Sequence, residues 1–287
     1  MNHYLLPDGN IQISFSGGRT SAYMLRQILD ANDGLPDRAE IVFTNTGREM
    51  AQTLDFVAEV GRRWGVMITW LEYRPGLPGY IETGWQGASR NGEPFDMLID
   101  QKQYLPNQQS RFCTSELKIR PAKRYLIQRG WGNWTAALGI RADEARRIKD
   151  ELLKERWQRW YPLFHAGVTK HDVQAFWEAQ PFDLMLPNIK GRCPLGNCDG
   201  CFLKSEAHRA MLARDYPERA GWWAQAEARI GALEASKGRP RANAFFSRRG
   251  GWEDLIRFVD FQGAWAFGDE ASEAGVLCQA DDGECME

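Results

Sequence analysis

The sequence has no apolar run near the ~18 residues that a membrane-crossing helix needs, and its opening, Met1 to Pro7, has no basic segment followed by a long apolar stretch. A soluble, cytoplasmic protein with no membrane partner is the expectation. Charge imbalance is also missing: 36 Lys and Arg against 38 Asp and Glu leave a formal net charge of -2. No global field draws the chain to nucleic acid, so such a partner would need a local basic patch. Histidine is scarce, with four in 287 residues, and His165, His171 and His208 are isolated, which suits core or surface positions before ligands. There is no internal repeat. The six cysteines, Cys113, Cys193, Cys198, Cys201, Cys278 and Cys285, are clustered where a disulfide framework would be spread. In a reducing compartment such clustering points to metal or redox chemistry.

What is present suits a globular enzyme: 43% hydrophobic and 26% charged residues, in a chain long enough to bury a full α/β core. Ile11 to Phe15 is a short β-rich run ending in a Gly pair, and Thr20 to Leu29 then reads as a helix. Ile41 to Thr44 and Val66 to Leu71 read as strands, with an amphipathic helix from Gln52 to Trp64 between them. Pro121 to Arg129 suits a helix and Thr135 to Ile140 a buried strand, followed by the charge-rich Arg141 to Glu151. Alternating strands and helices predict α/β architecture, a Rossmann-like parallel sheet wound with helices. Arg74 to Ser110, rich in Gly, Pro, Asn and Gln, reads as a lid or substrate loop. The pattern changes beyond Leu163: a helix from Thr169 to Glu178, a tight loop from Cys193 to Cys201, then one or two Trp-bearing helices from Ser205 to Leu233. The division expected is an α/β nucleotide-binding domain over 1–165 and a Cys-containing, mainly helical C-terminal region over 166–287. The acidic stretch Gly268 to Glu287 is expected to be mobile unless its cysteines tie it down.

The chemistry starts at Ser16-Gly17-Gly18-Arg19-Thr20-Ser21. A Gly turn between a strand and a helix lets backbone N–H groups approach phosphate oxygens, and the helix N-terminus adds partial positive charge. Ser16, Thr20 and Ser21 add hydroxyl donors.

Ser14 to Ser21 resembles the PP-loop of the adenine nucleotide α-hydrolase superfamily, in its phosphoadenosine phosphosulfate (PAPS) reductase-like branch. Asn45-Thr46-Gly47-Arg48-Glu49 resembles that family's segment after the second strand, Arg111 to Lys118 its Cys-bearing segment, and Gly139 to Glu144 its Gly-x-Arg turn. The resemblance spans Ile11 to Ser205. It implies nucleotide contacts from Ser14, Ser16, Gly17, Gly18, Arg19, Thr20, Ser21, Asn45, Thr46, Gly47, Glu49, Gly139 and Arg141, with ATP or a related adenine nucleotide and Mg²⁺ as ligands. Thr20 stands where the usual PP-loop has Asp, so Asp143 or Glu144 is the substitute carboxylate for the metal.

Cys198-Asp199-Gly200-Cys201 has the two-residue spacing of a metal-ligand turn, with Cys193 just before it and Cys113 the leading further ligand. Three readings stand open for Cys113, Cys193, Cys198 and Cys201: a 4Fe-4S cluster, which the resemblance favours, a Zn²⁺ site, or redox thiols. Cys113 and Lys118 are candidate catalytic residues. Cys285, in Glu284-Cys285-Met286, partly resembles the C-terminal nucleophile of cluster-free reductases, although acidic neighbours would raise its pKa. Lys204 is placed to offset thiolate charge. The tryptophans near Arg248 and Arg249 suit a helical core before base stacking.

The activity implied is ATP-dependent adenylation of a substrate with pyrophosphate release, followed by iron-sulfur- or cysteine-dependent sulfur transfer. The alternatives are a PAPS or adenylyl sulfate reductase releasing sulfite, and a non-catalytic nucleotide- or cluster-binding module. The partners implied are tRNA or DNA as acceptor, a thioredoxin-like reductant or sulfur donor, and a second copy of the chain.

Overall fold

The computed structural model describes residues 2–148, 155–189, 191–239, 244–247 and 250–262. Cys278, Cys285, Trp265, Arg248, Arg249 and the acidic stretch 268–287 lie outside the described residues. Six strands form one sheet: β1 (Asn10–Ser14), β2 (Ala39–Asn45), β3 (Ile68–Tyr73), β4 (Tyr80–Thr83), β5 (Trp134–Ala137) and β6 (Trp157–Trp160), in the order β4-β3-β2-β1-β5-β6. All pairings are parallel except β3 with β4. The helices are α1 (Arg19–Asn32), α2 (Ala51–Trp64), α3 (Glu93–Lys102), α4 (Phe112–Thr114), α5 (Arg120–Gln128), α6 (Pro162–His165), α7 (Lys170–Glu178), α8 (Glu206–Asp215), α9 (Pro217–Ser236) and α10 (Trp252–Gln262).

The two-residue period of a strand sorts the core. Ile11 and Ile13 of β1 face one way and join Met24, Leu25 and Ile28 of α1 and Leu54 and Val57 of α2. On the other face, Val42, Leu71 and Ala136 pack on Ala122, Tyr125 and Leu126 of α5. The first cluster continues through Trp177 to Trp223, Phe246 and Trp252, so one apolar core runs across the expected 165/166 boundary. Trp223 and Trp252 are buried and stack at 6.0 Å, which makes them core residues, unavailable to bases.

Three elements differ from the sequence expectation. Arg74 to Ser110 is not one open loop: β4 adds an antiparallel edge, and α3 starts with Pro94 in its first turn together with Glu93 and Asp96, which suit a helix N-terminus. The second is β6, whose Gln158 and Arg159 lack the apolar pattern of an inner strand; its place is set by non-local pairing to β5 at the sheet edge. The third is α10, which closes the C-terminal layer through Trp252, Leu255 and Val259.

Glu227 of α9 is buried there, with its two carboxylate oxygens accepting the backbone N–H groups of Phe246 and Trp252. Burial pushes its pKa up from the ordinary 4.5 to about 7, against the pull of these amides and Arg209. The folded chain therefore holds a proton that the unfolded chain has released between pH 4.5 and about 7. Stability falls as pH rises through that window, by about 3 kcal/mol at most from this group. Urea titrations from pH 4.5 to 8 should show this decline, and Glu227→Gln should remove its slope whatever it does to the absolute value.

Candidate functional site

The strand order reverses between β1 and β5, and ligands of open α/β sheets bind at the carboxyl ends of the strands beside such a reversal. β1 delivers the chain there into Ser16-Gly17-Gly18, and α1 begins at once. Gly17 has φ +80, and a Cβ on it would lie 2.8 Å from Thr53 Cγ2 and 3.0 Å from Val57 Cγ2, so both backbone and packing require glycine. The α1 N-terminus has no side-chain cap and no acidic residue in its first turn, which leaves its N–H groups facing the cleft for an anion. The cleft is lined by Gly17, Gly18, Thr20, Arg141, Cys193 and Asn197, among others, and contains about 530 Å³ of space including its open mouth.

The loop's hydroxyls are mostly used to hold its shape. Ser16 Oγ and Ser21 Oγ lie 2.9 Å apart, and Ser21 Oγ donates to Gly18 O at 3.1 Å. The Arg19 guanidinium forks onto Asp183 at 2.6 and 2.7 Å and donates to Leu184 O, so its charge is spent on the segment after α7. Arg141, carried by the turn at Gly139, donates to Thr20 Oγ1 at 3.1 Å and pairs with Asp143 at 2.9 Å. Glu144 takes Arg147 at 2.5 Å and the Arg141 amide at 3.1 Å. The two carboxylates expected to serve Mg²⁺ are thus engaged with arginines.

Several expected nucleotide contacts are placed elsewhere. Strand alternation turns Ser14 to the α5 face, where it accepts from Gln12 Nε2 at 3.2 Å and lines a separate cavity with Trp134 and Trp157. The segment after β2 is closed on itself. Asn45 donates to Glu72 at 2.7 Å and accepts from the Gly47 amide, while Glu49 accepts from Thr46 N at 2.8 Å and from Thr46 Oγ1. Asn45, Thr46, Gly47 and Glu49 therefore make a rigid buried corner and do not line the cleft. Lys118 reaches that corner from Ser115–Ile119, a π-helical turn between α4 and α5, and its Nζ lies 4.0 Å from Glu49 Oε1. Such turns re-aim side chains at the cost of regular helix geometry. Arg120 and Lys123 pair instead with Glu116 and Glu155.

The cysteine loop is docked onto the same corner. Thr46 Oγ1 lies 3.3 Å from Cys198 Sγ, Cys198 forms an antiparallel bridge with Glu49, and the Asp199 amide donates to Arg48 O at 2.9 Å. Asp199 is fully buried and accepts from Arg48 Nη2 at 2.8 Å, Trp223 Nε1 at 2.8 Å, the Gly200 amide at 2.7 Å and Arg219 Nε. Arg48 lies over the Trp222 ring at 4.7 Å, and burial pulls its guanidinium below the ordinary pKa although Asp199 pulls the other way. A Cβ on Gly200 would lie 2.3 Å from Trp223 Nε1, so glycine there makes room for the indole. Lys204 likewise donates to Pro194 O and, at 2.7 Å, to Gly196 O, bracing the loop backbone.

The thiols do not share one centre. Cys193 lines the cleft beside the Gly17–Gly18 turn, Cys198 touches the Thr46 corner, Cys201 is buried, and Cys113 is half-buried on α4 against the main core. Among the described residues no three Cys, His, Asp or Glu side chains converge as for a metal ion. The four cysteines as placed do not fit a four-thiolate cluster or zinc. Burial pushes the Cys193 thiol up, with Lys204 and Arg19 pulling partly against it.

A doubly flanked, mostly parallel sheet with a glycine turn feeding an uncapped helix defines a Rossmann-like α/β protein. The chain belongs to the phosphoadenosine phosphosulfate reductase domain family, whose model matches residues 10–184, and with it to the PP-loop superfamily. It is 34% identical over 214 residues to the uncharacterised nin region protein ORF290 of Escherichia phage lambda, covering 71% of this chain and 69% of that protein. It is 23% identical over 214 residues to an uncharacterised protein of Methanocaldococcus jannaschii, covering 72% of this chain but only 39% of the relative. Two solved structures are remotely similar. One is the PAPS reductase of Candida auris in its phosphate complex, with TM-score 0.41, 19% identity and coverage of 62% and 76%. The other is the U34-tRNA thiolase NcsA of Methanococcus maripaludis with its [4Fe-4S] cluster, with TM-score 0.39, 14% identity and coverage of 98% and 81%. No helix among the described residues is long and apolar enough to cross a membrane.

Arg48, Asp199, Arg219 and Asn197 escaped the sequence reading. Asp199 to Arg48 spans 151 positions, a pairing that no local pattern encodes. Asp199→Ala would leave the buried Arg48 and the partly buried Arg219 without their shared counter-ion, a loss of about 3–5 kcal/mol. Urea unfolding should report it, and Asp199→Asn, which keeps an acceptor, should cost less.

Proposed function

We propose that the chain is an ATP-dependent sulfur-transfer enzyme in which the Gly17–Gly18 turn holds the nucleotide's phosphates and Cys193 brings the sulfur. The observation that carries this reading is the Cys193 thiol lining the same cleft as Gly17, Gly18, Thr20 and Arg141. Family membership supports the nucleotide half.

In the reaction proposed, an oxygen of the acceptor attacks the α-phosphorus of ATP, and the bond to pyrophosphate breaks. The α1 N–H groups stabilise the charge on the departing anion. Mg²⁺, when bound to the nucleotide, would neutralise phosphate charge. A persulfide donor passes its outer sulfur to Cys193: its sulfur–sulfur bond breaks, it keeps a thiol, and Cys193 becomes the persulfide. Its terminal sulfur attacks the activated carbon, the carbon–oxygen bond breaks and AMP departs. A thioredoxin-like dithiol then reduces the mixed disulfide, releasing the thiolated product and restoring the Cys193 thiol. The raised pKa of Cys193 keeps the resting thiol protonated, and a persulfide, being more acidic, ionises where the thiol does not. The acceptor proposed is a base of tRNA or DNA in the cytoplasm.

Incubation with ATP and Mg²⁺ should release AMP and pyrophosphate in the presence of acceptor. Cys193→Ser should keep pyrophosphate release and lose both AMP release and thiolated product by at least ~10²-fold, as for removal of a nucleophile. Sulfite release from a sulfonucleotide with thioredoxin, without AMP from ATP, would replace this reading by the reductase. Anaerobic iron and sulfide analysis checks the cluster separately.

A further inference from the structure

Asn197 occupies the loop between Cys193 and Cys198 and is unusual in three respects. It is 3% exposed, it has φ 54, and neither Oδ1 nor Nδ2 has a hydrogen-bond partner among the described residues. It lines the cleft together with Gly17, Gly18 and Thr20. Buried carboxamides are nearly always satisfied, because an unpaired one loses its hydration without recompense. The loop's own anchors are satisfied: Asp199 has four donors, and Lys204 holds two carbonyls of the same loop, while among the cleft's other residues Thr53 Oγ1 is likewise buried without a partner. The loop is thus gripped on both sides of Asn197 while its amide is held, in a left-handed backbone conformation that Asn tolerates better than most residues, against a cleft without a partner. Both amide ends are unpaired, so the argument is the same for either assignment of oxygen and nitrogen.

We infer that Asn197 is an anion-contacting residue of the cleft, its Nδ2 donating to a phosphate or sulfate oxygen seated on the Gly17–Gly18 turn. Such oxygens only accept, so they match both the amide's donor end and the N–H groups of α1. Oδ1 takes a water or hydroxyl that enters with the anion. The contact rests on the nucleotide reading of the cleft above, yet requires none of its chemistry. It also gives the Cys193–Cys201 loop a part in nucleotide recognition that does not involve its thiols.

Calorimetric titration of the full chain with inorganic pyrophosphate, and separately with inorganic sulfate, tests this on the wild type, Asn197→Gly and Asn197→Asp. Glycine accepts the φ of this position, and Asp keeps the shape while replacing the donor with a negative charge. Pyrophosphate affinity should fall about tenfold in Asn197→Gly and about a hundredfold in Asn197→Asp, by loss of a charge-assisted hydrogen bond and then by repulsion. The ligand-free melting temperature of Asn197→Gly should be unchanged or higher, since a purely structural amide would lower it. If sulfate alone shows the loss, the contact stands and the anion is a sulfonucleotide's.

Equal affinity in all three proteins for both anions overturns the contact, as does a wild type that binds neither. A loss of affinity matched by lower ligand-free melting in both variants also overturns it. These outcomes are independent of turnover. A wild type that binds pyrophosphate through Asn197 but makes no AMP keeps the contact and removes the proposed reaction, whereas AMP release with unchanged variants does the reverse.

Discussion

The structure depends on one buried carboxylate. Asp199 has no exposure and is the meeting point of two arginines, an indole and a backbone amide. The donors come from three places: Arg48 from the corner after β2, Arg219 and Trp223 from α9, and the Gly200 amide from the cysteine loop. Without Asp199 these elements would bring like charges into a low-dielectric interior. With it, the corner, the loop and α9 are held in one geometry. A buried ion pair of this kind is a doubtful source of net stability, but it is specific, because few arrangements satisfy all its members.

That fixed geometry decides what the cleft can be. Glu49 and Cys198 are bridged, so the cysteine loop leaves the corner in a set direction and presents Cys193 and Asn197 to the α1 N-terminus. Lys204 keeps the loop from collapsing by taking two of its carbonyls. On the far wall, Arg19 ties α1 to Asp183, and the Trp177 indole donates to Arg19 O at 2.9 Å. Both walls are braced from behind by Asp199, Lys204, Asp183 and Trp177, none of which lines the cleft, which is how a site gains precision from its surroundings.

Much of this frame was legible in the sequence, for local reasons. The Gly17–Gly18 turn, the period-two apolar run of β1 and the amphipathic α2 are encoded within a few residues of themselves. So were the parallel sheet and the Trp-built core of the C-terminal region. What was not legible is long-range. β6 exists because β5 offers it an edge, β4 because β3 does, and neither Gln158–Arg159 nor the Gly-rich approach to Tyr80 announces a strand. The site divided along the same line. Gly17, Gly18, Thr20, Arg141 and Cys193 share the cleft, but Ser14 lies across the sheet, the Asn45–Glu49 segment closes on itself, and the even spacing of Cys198 and Cys201 does not bring four thiols together. Two-residue spacing states which residues share a turn. It cannot state that Trp223 fills the space beside Gly200.

Thr20 shows how the cleft manages charge. An Asp there would put a full negative charge in the first turn of α1, against the anion that the turn is shaped to receive. It would also pair with Arg141 and compete with Asp143 and Glu144 for it. Thr20 instead accepts from Arg141 Nη1 as a neutral group, so the α1 N-terminus keeps its positive potential and the guanidinium is oriented without being neutralised from that side. The two acids nearby are balanced by Arg141 and Arg147. The result is a turn with no carboxylate of its own in α1's first turn. In the reading proposed above, the anion is met there by backbone N–H groups, an oriented arginine and an amide.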